Sequence, residues 1–225
     1  MKRLIATDFD GTFYRGHEID PADRKGIAAW RKAGNYFGFV TGRGVDFFDT
    51  AKELDLPVDY MLLYNGAMLA KPDGTVIKEY LLPRALMAEL SAFFAALGTA
   101  EFFDKPDERP FYHQYYATCP SPEVALQAAA KVNARFGDRV TAFVNGPHVN
   151  IGKKGSSKSQ GVFDALAYFG LPADAAAVFG DDFNDIEMLQ AHNGWAVRTP
   201  RPEVRAQVPQ ICDSVGKTAL LLLQK

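Results

Sequence analysis

Hydrophobic positions follow two rhythms along the chain. Leu4–Thr7, Tyr36–Val40, residues 60–64, residues 176–179 and Trp195–Val197 are short, nearly continuous apolar runs, the pattern of strands buried on both faces. Between them lie segments with helical spacing. Asp20-Pro21 opens one of them, with a capping residue followed by proline at the first helical position, and it runs to Ala33-Gly34. Residues 46–55, residues 157–169, a segment ending at Gln190 and a terminal stretch after Thr218 are the other predicted helices. Strands alternating with helices predict a parallel sheet covered by helices, an α/β fold.

The rhythm changes in the middle. Residues 67–82 read as a hairpin around Pro72-Asp73-Gly74, and residues 83–97 as a helix. Strand-like runs follow at 101–103 and 111–118. A helix opened by Ser121-Pro122 continues to Phe136, and strands at 140–144 and 149–151 close the stretch. Two helices with about four strands make an α+β insert. The expected division is a core of residues 1–79 and 153–225 with an inserted domain at 80–152.

Composition narrows the class. The 225 residues are 48% hydrophobic and carry a net charge of −2, with no basic excess to draw nucleic acid or an anionic membrane surface. A small molecule is therefore the expected partner, handled by a monomer or small homo-oligomer. No run approaches the roughly 18 apolar residues of a membrane span. The basic start Met1-Lys2-Arg3 meets Asp8 and Asp10 too soon to form the apolar part of a signal peptide, so a cytoplasmic protein is expected. Cys119 and Cys212 have no metal-ligand spacing and read as free thiols.

Three predicted strands end in polar clusters: Asp8/Asp10, Thr41-Gly42-Arg43 and Asp181/Asn184/Asp185. In open α/β sheets such ends face a common crevice. Helix capping explains any one cluster, but capping does not call for several carboxylates in one place. Gathered carboxylates repel one another, and a divalent cation resolves the repulsion; all-oxygen ligands suit Mg2+, which also takes substrate phosphate. Asp8 and Asp10, two apart on a segment read as extended, are expected to point to the same side. One carboxylate can attack phosphorus while the other protonates the leaving oxygen and later accepts a proton from water.

These residues carry a family resemblance. Asp8-Phe9-Asp10-Gly11-Thr12, Val40-Thr41-Gly42-Arg43, Lys158 within Gly155-Ser156-Ser157-Lys158-Ser159, and Gly180-Asp181-Asp182-Phe183-Asn184-Asp185 resemble, in order, the four motifs of the haloacid dehalogenase (HAD) superfamily. With its insert between the second and third motifs, the chain resembles the Cof-like, type IIB phosphatases with a short C2-type cap. The resemblance implies a Rossmann-like core and a magnesium-dependent phosphatase. Asp8 would be the nucleophile and a metal ligand. Asp10 would be the general acid/base, with its main-chain carbonyl on the metal. Thr41 and the amides near Gly42 would hold the phosphoryl group, and Lys158 would offset charge on nucleophile and phosphate. Asp181 would ligate Mg2+, and Asn184 and Asp185 would hold the metal's water shell or orient Lys158. Asn65-Gly66 matches a recurrent phosphate-side pair or is a plain turn. Asp182 and Phe13-Tyr14 depart from the common pattern, and Arg43 fits it either as a functional residue or as part of a supporting salt bridge.

By the same resemblance the insert would close over the crevice and select the substrate, with Phe111 to Tyr116, Asn145, His148 and Asn150 as possible contacts or as ordinary core and turn residues. The expected reaction is hydrolysis of a small phosphorylated metabolite of the sugar-phosphate kind through an aspartyl-phosphate. Phosphoglycolate phosphatase, a phosphomutase of the same fold and a non-catalytic phospho-ligand-binding module are the alternatives.

Overall fold

A computed structural model describes residues 1–98, 101–102, 110–198, 202–208 and 210–224, without the side chains of 101–102. Phe103, the end of one expected strand, lies outside the described residues. The described chain divides into two compact units, residues Met1–Lys78 with Lys158–Lys225, and Glu79–Ser157. The second unit ends later than residue 152 because the strand His148–Lys153 runs into a turn in which Ser156 N–H donates to Lys153 O, and Lys154 N–H donates to Arg139 O.

The first unit is built on a sheet of eight strands. Their order is Ile211–Cys212, Trp195–Val197, Ala176–Gly180, Leu4–Thr7, Tyr36–Val40, Tyr60–Leu63, Met68–Ala70 and Val76–Glu79. The first six are parallel, with Leu4 in register with both Ala176 and Tyr36. Met68–Ala70 turns back antiparallel to Tyr60–Leu63. The chain winds from Leu4–Thr7 toward one edge, then resumes on the other side at Ala176–Gly180. The switch point of the sheet therefore lies between the strands that end at Asp8 and Asp181.

Both faces of this sheet are covered, which is why its strands read as continuous apolar runs. On one face Ile5, Phe37, Phe39 and Phe179 pack with Phe9, Phe13, Trp30 and Phe47. On the other Leu4, Ala6, Val40, Leu62 and Val178 pack with Val162, Leu166 and Met188. The helix Pro21–Lys32 begins as the sequence indicates, with the Asp20 carboxylate accepting Ala22 N–H at 2.9 Å. The terminal helix spans Val215–Leu222, starting earlier than expected because Ser214 caps it by accepting Lys217 N–H. The strand Ile211–Cys212 and the helix Pro202–Gln207 carry too few residues to show a period in sequence.

The second unit has a four-stranded antiparallel sheet, in the order Val140–Asn145, His148–Lys153, Gln114–Thr118 and Glu101–Phe102. The helices Arg84–Leu97 and Pro122–Phe136 share its apolar core through Leu90, Phe94, Ala128 and Val132.

Helices Pro21–Lys32 and Val215–Leu222 meet backbone to backbone. A Cβ on Gly26 would lie 2.1 Å from Gly216 O, and one on Gly216 would lie 2.3 Å from Ala22 O. Helix propensity alone favours Gly26→Ala by roughly 1 kcal/mol. The contact reverses the sign, and overpacking makes Gly26→Ala destabilising by about 1–3 kcal/mol. Urea unfolding of the variant measures it, and an unchanged or raised midpoint would contradict the packing.

Candidate active site

The strand Leu4–Thr7 ends at Asp8, whose N–H donates to Phe179 O and so prolongs the parallel ladder by one residue. The chain then turns. Phe9 O accepts the amides of Phe13 and Tyr14, and Gly11 stands at φ +88°. The extended geometry expected for Asp8-Phe9-Asp10 is therefore not what forms, and the two carboxylates part. Asp8 is buried and faces Lys158. Asp10 has a half-exposed side chain that accepts two hydrogen bonds from Arg43, at 2.7 Å from Nε and 2.6 Å from Nη2. The Arg43 guanidinium also lies 5.2 Å from the centre of the Phe9 ring, within cation–π range.

Lys158 opens the helix Lys158–Tyr168 and is 3% exposed. Its Nζ donates to Asp8 Oδ1 and to Asp185 Oδ1, both at 2.7 Å. Gly161 lets this helix press close to the strand Tyr60–Leu63 and the turn after it, since a Cβ there would sit 3.2 Å from Leu62 Cδ2 and 3.0 Å from the Gly66 Cα. Asp185 is fully buried, and its other oxygen accepts the amides of Asp181 and Asp182 at 3.0 and 3.1 Å. Asp185 thus orients both the lysine and the loop that carries Asp181. Asp181 accepts a hydrogen bond from the Thr12 hydroxyl, across 169 positions of chain. Asp182 turns to Phe183 N–H at 2.7 Å and caps the short helical turn there.

Asp8, Asp181 and Asp185 each bring a carboxylate oxygen within 4.8 Å of the others, and Asp10 and Asp182 stand outside that group. Thr41, Gly42, Asn65 and Asn184 form a second group beside it. Thr41 is buried, and its hydroxyl oxygen accepts Arg43 N–H at 3.1 Å while its carbonyl accepts Asn65 N–H at 2.8 Å. Asn184 Nδ2 donates to Asn65 Oδ1 at 3.3 Å, and a Cβ on Gly42 would touch the same side-chain amide. Tyr64 and Asn65 are both left-handed, at φ 52° and 55°. Such backbone costs about 1–3 kcal/mol per residue and clusters at functional sites.

The electrostatics show a surplus of negative charge. Burial first, then the neighbouring Asp185 and Asp181, push the Asp8 carboxyl up to about 8 against the pull of Lys158. Burial likewise pushes Asp181 up to about 6, opposed by the Thr12 hydrogen bond and reinforced by Asp185 and Asp182. Burial works against the Lys158 charge, but Asp185 and Asp8 outweigh it and hold the ammonium above its ordinary range. Fully ionised, three carboxylates and one ammonium leave two negative charges. A divalent cation with oxygen ligands fits that remainder and that donor set.

A doubly wound α/β sheet with carboxylates at its switch point defines a class of enzyme that works on ligands bound beyond the strand ends. The sequence profile of haloacid dehalogenase-like hydrolases matches residues 5–103 and 97–221, and the chain belongs to that family. Among solved structures, the fold is similar to a haloacid dehalogenase-like hydrolase from B. subtilis, with a TM-score of 0.83, 14% identity, and coverage of 98% of this chain and 99% of that one. It is also similar to a phosphatase of the HAD superfamily from Bacteroides thetaiotaomicron, with a TM-score of 0.81, 18% identity, and coverage of 100% and 94%. A HAD subclass IIB sugar phosphatase aligns with a TM-score of 0.80, 17% identity, and coverage of 98% and 99%. Among the described residues, no helix is long and apolar enough to cross a membrane.

The raised carboxyls set the sign of a pH effect. A carboxyl whose pKa rises on folding binds its proton more tightly in the native state. Stability therefore falls as pH rises from the ordinary 3.8 to about 6 for Asp181, and from 3.8 to about 8 for Asp8. In a chelating buffer the thermal midpoint should decline across that range and recover when Mg2+ is added. Asp181→Asn should flatten the lower part of the slope. A metal-free profile without slope would contradict the assignment.

Proposed function

We propose that the chain is a magnesium-dependent phosphomonoester hydrolase that works through an aspartyl-phosphate on Asp8. The observation that carries this reading is the buried Asp8 carboxylate, held by Lys158 beside Asp181 and Asp185 at the sheet's switch point. Asp8 and Asp181 would hold the cation directly, and Asp185 directly or through water, together with the Asp10 carbonyl that the family pattern supplies. When bound, Mg2+ supplies positive charge that offsets the phosphate oxygens.

The steps follow from the side chains. An Asp8 oxygen attacks phosphorus, forming an acyl-phosphate bond as the phosphorus–oxygen bond to the alcohol breaks. Lys158 keeps Asp8 Oδ1 in place and compensates charge on nucleophile and phosphate. Thr41, the Gly42 amide, Asn65 and Asn184 line the side where the phosphoryl oxygens would lie. Asp10, protonated, delivers its proton to the leaving alcohol. It then takes a proton from the water that attacks phosphorus, releasing phosphate and the free Asp8 carboxylate. Asp10 is engaged by Arg43 in this structure, so proton transfer requires that pair to open.

We also propose the unit Glu79–Ser157 as the selector of the alcohol. One face of its sheet is polar and aromatic: Tyr116 stacks on His148 at 4.9 Å, and Gln114 donates to Asn150 at 2.8 Å. Such a face suits hydroxyl-rich groups, as in a sugar phosphate. A phosphoglycolate phosphatase or a phosphomutase would use the same core.

Phosphate release from a panel of sugar phosphates, phosphoglycolate and nucleotides, with and without Mg2+, tests the reading. Asp8→Asn should reduce release to background on every substrate. Asp10→Asn should cost about 10²–10⁴-fold in kcat, the usual worth of a general acid. Full activity in Asp8→Asn would overturn the covalent route.

A further inference from the structure

Asp181 is held by a chain of side chains that starts far from it. Asp23 lies on the helix Pro21–Lys32, on the same buried stripe as Gly26, Ile27 and Trp30, and is itself fully buried. Its Oδ1 accepts the Ser214 hydroxyl at 2.5 Å and Gly216 N–H at 2.8 Å, at the start of the terminal helix. Its Oδ2 accepts Arg15 Nη2 at 2.7 Å. The other arm of the same guanidinium, Nη1, donates to the carbonyl of Thr12. The Thr12 hydroxyl then donates to Asp181 Oδ1. Asp181 has little room beside this bond, since a Cβ on Gly11 would sit 2.5 Å from Asp181 Oδ2. The carboxylate is thus seated against the Gly11-Thr12 backbone, and Arg15 fixes that backbone from the far side.

We propose that Arg15, anchored by Asp23, is a positioning residue for the cation site, acting through Thr12 on Asp181. The geometry needs an arginine. Its two arms reach two acceptors at once, a carboxylate and a carbonyl, and a single ammonium does not reproduce that fork. The anchor is rigid because Asp23 is locked to the N-terminus of the terminal helix where it meets the Pro21–Lys32 helix through Gly26 and Gly216. Capping of the terminal helix accounts for Asp23 Oδ1, but not for the arm that Arg15 extends from Asp23 Oδ2 to the Thr12 carbonyl. A carboxylate on a buried helix face is costly, and an apolar residue there would serve packing better.

The inference rests on the reading of Asp181 as a cation ligand, so the test measures the cation itself. Mn2+ binding to the full chain is followed by electron paramagnetic resonance without substrate, alongside thermal unfolding. Partners of metal ligands typically contribute 10–100-fold in affinity, so Thr12→Val and Arg15→Met should each weaken Mn2+ binding about tenfold. Arg15→Lys should not restore it. The double variant should be scarcely weaker than either single one, because both break the same link. Excess Mg2+ should return the Arg15→Met protein to the wild-type kcat, since Asp8, Asp10 and Lys158 are untouched. Arg31→Met, which breaks the separate Arg31–Asp59 pair, should leave Mn2+ affinity unchanged. An Arg15→Met protein with a lowered melting point but wild-type Mn2+ affinity would assign the network to stability alone and overturn the proposal. So would fully additive losses in the double variant. A wild-type chain that binds no Mn2+ removes the cation reading and this inference together. Failure of the phosphatase reading looks different: cation binding persists and no ester is cleaved.

Discussion

The site depends on one ammonium group. Asp8 and Asp185 lie in the protein interior, where unpaired carboxylates are strongly disfavoured and neighbouring ones more so. Lys158 Nζ, at hydrogen-bonding distance from both, makes their proximity tolerable. The surrounding architecture serves that contact. Gly161 brings the lysine's helix against the sheet, Leu4–Thr7 delivers Asp8 to the strand end, and Asp185 spends its second oxygen on the amides of Asp181 and Asp182. The lysine alone does not complete the balance. The upward shift that remains on Asp8 and Asp181 marks a cluster arranged for more positive charge than the chain supplies.

Two acids two positions apart acquire different characters because the backbone turns between them. Asp8 is buried, raised and fixed by Lys158, while Asp10 is half-exposed and gripped by a planar guanidinium stacked near Phe9. The upward shift on Asp8 belongs to the cation-free cluster, and the nucleophilic role proposed for it calls for added positive charge that lowers that carboxyl. The turn follows from Gly11 at positive φ and from the aromatic cluster of Phe9, Phe13, Phe39 and Phe47 packed beneath it. Phe13 helps form that floor.

Much of this was readable in the sequence, for identifiable reasons. Strands buried on both faces leave continuous apolar runs, and capped helices leave Asp20-Pro21 and Ser121-Pro122. The carboxylates stand at the predicted strand ends. The parts that escaped are set by contacts between distant positions. The parting of Asp8 and Asp10 depends on the carbonyl of Phe9 accepting amides four and five residues further on. The Ile211–Cys212 strand is too short to show a period. Thr12 meets Asp181 only after the sheet is assembled. One signal was present and easily passed over: Asp23 is a charged residue on the buried stripe of its helix, where a side chain without a partner would not be kept.

The site draws its residues from both ends of the chain. Asp8 meets Lys158 across 150 positions, and Asp23 meets Gly216 across 193. During synthesis at roughly 5–20 residues per second, the first strand and its motif wait on the order of 10 s or more for their partners. The unit Glu79–Ser157 is continuous in sequence and has its own core, so it is complete on the ribosome before the first unit can close. The inserted unit therefore has a temporal consequence: the exposed edge of Leu4–Thr7, flanked in the finished sheet on both sides, is left unpaired on one side until Ala176–Gly180 emerges. The interval in which this chain is most open to wrong pairing is lengthened by its insert.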